Sequence, residues 1–254
     1  ALVISTSPDQ HLPYAQLAAE HRKHMFIEAS VLADGLPELA AEVEARGLVA
    51  FPSCTMRFFA GPRRVAQLIG DGAIGKVLHV RAREAHGHPH LHARDPDRMG
   101  GGPLRGLGCH CIALGRWFLG PETRPLEVMA WGDRLHRTDV RSEDNAVAIV
   151  RFDDGRITQI EAGWTHVAGL DVRNEIHGSH GWIGTDDTGA TGLRAFAGRE
   201  AGYVMEKAGA NTGWVTPIAD EPWVYGYHGE LAHFVETFSA GQTPRQTFED
   251  GQIG

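Results

Sequence analysis

Three short apolar runs, "ALVIST" at 1–6, "HMFIEAS" at 24–30 and "LVAFPSCTM" at 48–56, are separated by two stretches with helical spacing. No other feature constrains the fold as tightly, because strands joined through helices pair in parallel by right-handed crossovers. The first connecting stretch, 12–23, sets Leu12, Ala15, Leu17 and Ala18 at helical intervals. The second, 34–47, has Asp34 near its N-cap, Pro37 in its first turn and Gly47 as its stop. A third helix is expected to open at Pro62 and to close among the glycines of "GDGAIG". Residues 1–73 therefore read as part of a doubly wound α/β sheet.

From about residue 75 the texture changes. "KVLHVRAREAHG" and "LEVMAWGDRL" read as strands, with a helix over 103–119 between them. Asp154-Gly155, set between two alternating runs, predicts a hairpin. "DVRNEIHGSHGWIGTDD" and "GLRAFAG" continue an antiparallel series, and a closing helix carries Leu231, Phe234, Val235 and Phe238 on one face. The fold class is α/β followed by α+β, divided as 1–73 and 74–254. A broad antiparallel sheet is expected to leave one face free of helices, and burying that face against a second subunit predicts a homodimer or homotetramer.

Charge and composition narrow the function. Twenty-four basic against 32 acidic residues give a net charge of −8, which argues against nucleic-acid or membrane-surface partners. No apolar run approaches the roughly 20 residues of a membrane span. Three cysteines, Cys54, Cys109 and Cys111, are too few for a disulfide framework and point to a reduced, cytoplasmic setting.

The run "HGHPHLH" places His86, His88, His90 and His92 at alternate positions, which in an extended segment share one side. Three readings stand: a metal-binding H-x-H pair, a solvated loop, or the wall of a substrate cleft. Against metal, Pro89 interrupts the run and no Asp or Glu lies within it. Cys109-His110-Cys111 is rejected as a zinc site. Residues two apart on a helix project about 200° apart, so its thiols cannot share one ion.

The order of several segments resembles one family. "ISTSPDQHLPYAQLAAEHRKHMFIEAS", "CTMRF", "LIGDGAIGKV", "GGGPLRGLGCHCIALGRWFLG", "EIHGSHGWIG" and "GELAHFVETFSAGQTPRQTFEDG" are together similar to the glucose–fructose oxidoreductase / inositol dehydrogenase family, Gfo/Idh/MocA. The resemblance runs over essentially the whole chain. It implies that 1–73 is part of a Rossmann domain binding NAD or NADP, and that 74–254 is the substrate and oligomerisation domain with an open-faced sheet. It also implies hydride transfer on a sugar, amino sugar or cyclitol. The G-x-G-x-x-G at Gly70–Gly75 closes a helix instead of joining a first strand to a helix, so the chain is expected to be a fragment lacking the segment that holds the pyrophosphate.

Family members share proton transfer between the Lys of an E-K-P motif and a helix His flanked by two Asp. The Glu of that motif matches Glu28, while its Lys and Pro fall on Ala29 and Ser30. The helix His matches His110, and the two Asp fall on Gly106 and Ala113. The resemblance therefore implies His110 as the proton-transfer or substrate-orienting residue, against the plain reading of a core histidine on an apolar helix face. Cofactor contacts are expected from Ser7, Pro8, His11 and Glu28 at the carboxyl edge of the sheet. For Glu28 the alternative is a solvated strand end; for Ser7, Pro8 and His11 it is a helix-opening turn. Arg57 is read either as a ligand for an anionic group of the cofactor or as a surface pairing residue. His86, His88 and His90 are candidates for substrate contact, because an imidazole titrating at about pH 6.5 could supply the proton group that Ala29 lacks. No metal is expected. The competing reading is a catalytically degenerate member that binds a sugar-like ligand or serves as a structural subunit, which the losses at Ala29, Gly106 and Ala113 favour.

Overall fold

The computed structural model describes residues 1–29, 35–167, 169–188, 195–199, 212–215 and 220–253. Ser30 and Asp34 lie outside them. Strands β1 (Leu2–Ile4), β2 (Met25–Ile27) and β3 (Ala50–Pro52) form a parallel sheet in that order. Helices α1 (His11–Glu20) and α2 (Leu36–Ala45) supply the crossovers. Ile4, Met25 and Ile27 pack with Ala15, Ala18, Leu36 and Leu39 on one face. Phe26 and Phe51 form an aromatic cluster with Phe58 and Phe234 on the other. Burial on both faces is why β2 and β3 are apolar at every position rather than alternating. The inward stripe of α1 is narrower than its spacing suggests. Ala15, Ala18 and Ala19 face the sheet with His11, while Leu17 is exposed.

Helix α3 (Ala60–Gly70) sends Val65 into the core of a second, six-stranded sheet. That sheet comprises β4 (Val77–Ala85), β5 (Pro125–Asp133), β6 (Asn145–Phe152), β7 (Ile157–Gly163), β8 (Asp171–Gly178) and β9 (Trp182–Asp186), in the order β5-β6-β7-β4-β8-β9. All its pairs are antiparallel except β4 with β7. The long helical connection after β4 permits that one parallel pair, which a hairpin could not. The β6–β7 hairpin turns at Asp154-Gly155, with Gly155 at φ +85° as a turn of this kind demands.

Two elements differ from expectation. The helix over 103–119 is broken at Leu107 into α5 (Pro103–Gly106) and α6 (Gly108–Leu119), preceded by a one-turn α4 (Pro96–Met99). The "GLRAFAG" segment does not extend the large sheet. Its described part, β10 (Ala195–Ala197), pairs with β11 (Gly213–Val215) in a separate hairpin, and 192–194 fall outside the described residues.

Helix α6 covers the inner face of β4 and β7, and Gly115 allows the close approach. A Cβ there would sit 2.5 Å from Thr158 Cγ2. Thr158 is buried and β-branched, so it has little room to yield. Gly115→Ala is expected to destabilise the protein by about 1–3 kcal/mol, read from the midpoint of chemical denaturation. An unchanged midpoint would mean the helix can lift without cost.

Among the described residues, no helix covers the opposite face of the large sheet. Arg81–Glu175 and Arg83–Glu161 ion pairs, at 2.9 and 2.6 Å, cross its middle. Met129, Trp131, Val147 and Trp182 are exposed toward its ends. Helices α7 (Glu221–Val224), α8 (Tyr227–Ala240) and α9 (Phe248–Ile253) follow. The buried stripe of α8 is Glu230, Phe234 and Thr237; Leu231 and Val235 are exposed. The stripe is polar at its start because Glu230 accepts hydrogen bonds from Ser53 Oγ at 3.1 Å and Cys54 N at 2.8 Å, at the end of β3. No helix of the described residues is long and apolar enough to cross a membrane.

Candidate active site

The carboxyl ends of β1 and β2 face the end of β4 and the start of α6 across a cavity of about 520 Å³. Ser7, Pro8, His11 and Glu28 line it from the parallel sheet, and His110 and Gly106 from the helices. His86, His90 and His92 line it from the segment after β4. Among the wall residues not singled out from the sequence are Glu84, Arg98, Trp164, Tyr225 and Tyr227.

His11 opens α1 and is fully buried. Its Nε2 lies 3.0 Å from the Thr6 carbonyl, an acceptor, so Nε2 carries the proton. Nδ1 is then an acceptor, and it is buried with no hydrogen-bond partner. Burial pushes the imidazole below its ordinary pKa, against the bond to Thr6, which raises it. The ring therefore presents a neutral, unused acceptor at the cavity wall. Glu28 closes β2, half-buried, with Oε1 accepting from Ala29 N at 2.9 Å.

On β4, Val80, Ala82 and Glu84 alternate onto the face covered by α6, and Glu84 is 4% exposed. The neighbouring Cys111 thiol is pushed well above its usual pKa, first by burial and then by the Glu84 carboxylate. Glu84 therefore sits against the turn of α6 that carries His110. A carboxylate at a core-facing strand position is the signal that would have found it.

The histidine run is not one extended strand, so its alternation does not place all four rings together. β4 ends at Ala85, and His86 prolongs the pairing by one bond from its N–H to Gly163 O at 3.0 Å. The chain then leaves the sheet and forms a 3-10 turn at His92–Arg94. His86 is buried; His90 and His92 stack with centroids 5.6 Å apart; His88 is exposed and outside the cavity. Among the described residues, no group of three or more His, Cys, Asp or Glu could hold a metal ion.

Arg57 is also not brought into the cavity. It is 4% exposed, with Nη1 donating to Arg245 O at 2.7 Å and Nη2 to Ala113 O at 3.1 Å. Its guanidinium lies 5.8 Å from the Trp117 ring centroid. These two bonds to backbone carbonyls tie α6 to the C-terminal segment. Gly106 lies at the cavity, but Met99 Cε comes within 2.5 Å of where its Cβ would be, so a thioether takes up the space of a side chain there.

Residues 63–184 match the family model described as the GFO/IDH/MocA C-terminal domain. Over that stretch the chain carries a Gfo/Idh/MocA C-terminal domain. Its whole length is 26% identical to 73% of the myo-inositol 2-dehydrogenase of Thermotoga maritima. It is 25% identical to 71% of the scyllo-inositol 2-dehydrogenase (NAD(+)) of Bacillus subtilis. The structure of GenD2 from gentamicin A biosynthesis, in complex with NAD, overlays on 99% of this chain and 72% of that one, with a TM-score of 0.89 at 26% identity. The two-part architecture seen here, a parallel α/β sheet followed by a large, mostly antiparallel sheet, is thus shared with that structure.

Proposed function

We propose that this protein is an NAD(P)-dependent oxidoreductase acting on a hydroxyl-bearing carbon of a sugar, amino sugar or cyclitol. One observation carries the reading: His11 and Glu28, at the carboxyl ends of parallel strands, share a single cavity with His110. Ligands of open α/β sheets bind at that edge. The residues fit a nicotinamide group, because the orphaned His11 Nδ1 is a buried acceptor for a ribose hydroxyl or an amide proton. Ser7, Pro8, His11 and Glu28 would hold that end of the dinucleotide, which supplies the hydride acceptor or donor when bound.

His110 takes the hydroxyl proton as the carbinol is oxidised and returns it in reduction. Glu84, buried against the same helix turn, steadies the imidazolium that forms, and His86 closes the inner wall. Trp164 presents an apolar surface to a ring and helps exclude water. In this reading residues 1–73 hold the cofactor, residues 74–254 hold the substrate, and the open sheet face assembles a homodimer or homotetramer.

A second reading, a degenerate member that binds a ligand without turnover, is favoured by Ala29 and by Met99 occupying the space beside Gly106. Turnover decides between them. The full-length protein with NAD or NADP is expected to oxidise at least one of a panel of inositols, hexoses and amino sugars, followed by the absorbance of the reduced nicotinamide. Cofactor binding with no turnover on any of them would favour the degenerate reading.

A further inference from the structure

The polar inventory of the cavity is weighted towards imidazoles and a guanidinium. Asp, Asn and Gln are absent from the described lining, whose only carboxylates are Glu28 and Glu84. Five imidazoles and one guanidinium, Arg98, face them.

Arg98 differs from its neighbours. On the same loop system Arg94 and Arg137 pair with Asp139 at 3.2 and 2.6 Å, and Arg141 pairs with Asp97 at 2.8 Å. Among the described residues no carboxylate lies within ion-pair distance of Arg98. Its hydrogen bond is Nη2 to Ser7 Oγ at 3.1 Å, which anchors the side chain across the cavity mouth and leaves the rest of its donor fork available. His92 lies beside it. Its pKa is pushed down by burial, then by His90 and Arg98, so it offers neutral hydrogen bonding rather than a second fixed charge. The charged groups that also bear on this corner are Asp9, Asp95 and His11. Asp9 is already bonded to Gln10 Nε2 at 2.8 Å.

We infer that Arg98, with His90 and His92, binds an anionic group on the substrate, a carboxylate or a phosphate monoester. A planar guanidinium with open donors matches either group, and Lys would not reproduce the fork. The inference rests on the dehydrogenase reading for the chemistry but not for the binding.

The test uses matched probes on the full-length protein with bound NAD: hexoses and inositols against the corresponding uronates and phosphate esters. Binding is read by calorimetry and turnover separately. At least one anionic probe is expected to bind more tightly than its neutral counterpart, and the carboxylate and phosphate arms identify the source. Arg98→Gln is expected to raise its Kd and KM roughly 10- to 100-fold with kcat little changed, and Arg98→Lys to recover part of the loss. No preference for any anionic probe, or equal loss for neutral and anionic ones in Arg98→Gln, would overturn the inference. So would an Arg98→Gln effect confined to NAD affinity, which would make Arg98 a cofactor contact. Tight, Arg98-dependent anion binding without turnover would leave the inference standing and sink the dehydrogenase reading instead.

Discussion

Replacing His110 with alanine is expected to lower kcat/KM by about 10²- to 10⁴-fold, the usual worth of a positioned acid–base group. His110 lies in the first turn of α6, where its N–H donates to Leu107 O at 3.0 Å. That helix is seated on the sheet by the Gly115–Thr158 approach, so the imidazole is presented from a rigid element. The ring is half-buried at the cavity wall, and its removal leaves the core beneath intact. The midpoint of unfolding and the affinity for NAD are therefore expected to stay near those of the parent, with the loss falling mainly on kcat. The pH–rate profile separates chemistry from packing. The parent should lose activity as His110 becomes protonated, and the alanine variant should lose that limb. Glu84→Gln keeps the shape of its side chain and removes a carboxylate from the cavity wall that His110 shares, so a smaller fall in kcat with a shifted limb is expected. Unchanged turnover in the alanine variant would dismiss His110 and make His86 or Glu84 the next group to test.

How far the sequence announces this site depends on the range of the interaction. The β1–α1–β2–α2–β3 alternation is local, and so were the cavity-edge positions of Ser7, His11 and Glu28, since strand ends follow directly from strand pattern. His110 came through motif order. Glu84 did not, because nothing near it in sequence says that β4 is flanked by both β7 and β8 and roofed by α6. Only that pairing turns an ordinary strand carboxylate into a buried one. Arg57 misled for the complementary reason. A surface-type residue between Met56 and Phe58 is in fact buried by partners 56 and 188 residues away, Ala113 and Arg245. The histidine run misled through its regularity, because alternation has meaning only while a strand lasts, and β4 stops at Ala85. In α8 the apolar pattern selected Leu231 and Val235, whereas the buried stripe begins with Glu230, whose partners lie at the end of β3.

Glu230 yields the second large effect, on stability. Burial pushes its pKa up to about 8, with the Cys54 N–H bond acting against the shift and Glu28 adding to it. In the unfolded chain the same carboxyl ionises near its ordinary 4.5. Below pH 4.5 it is protonated in both states and its contribution to stability is fully present. Between about 4.5 and 8 only the unfolded state gives up the proton, so stability falls as pH rises. Above 8 both states are ionised and the loss is complete. A shift of this size corresponds to a decline on the order of 4 kcal/mol across that window. Glu230→Gln keeps an oxygen for Cys54 N and an amide for Ser53 Oγ but cannot ionise. Denaturation midpoints at pH 5 and pH 8.5 are therefore expected to drop in the parent relative to the glutamine variant. A constant difference between them would mean that Glu230 is ionised throughout. Glu230→Ala is expected to be worse than either at pH 5, since it strands two buried donors at a cost of about 1–3 kcal/mol each. Because Glu230 seats α8, and Tyr227 at the start of that helix lines the cavity, a rise in substrate KM should accompany the alanine change but not the glutamine one.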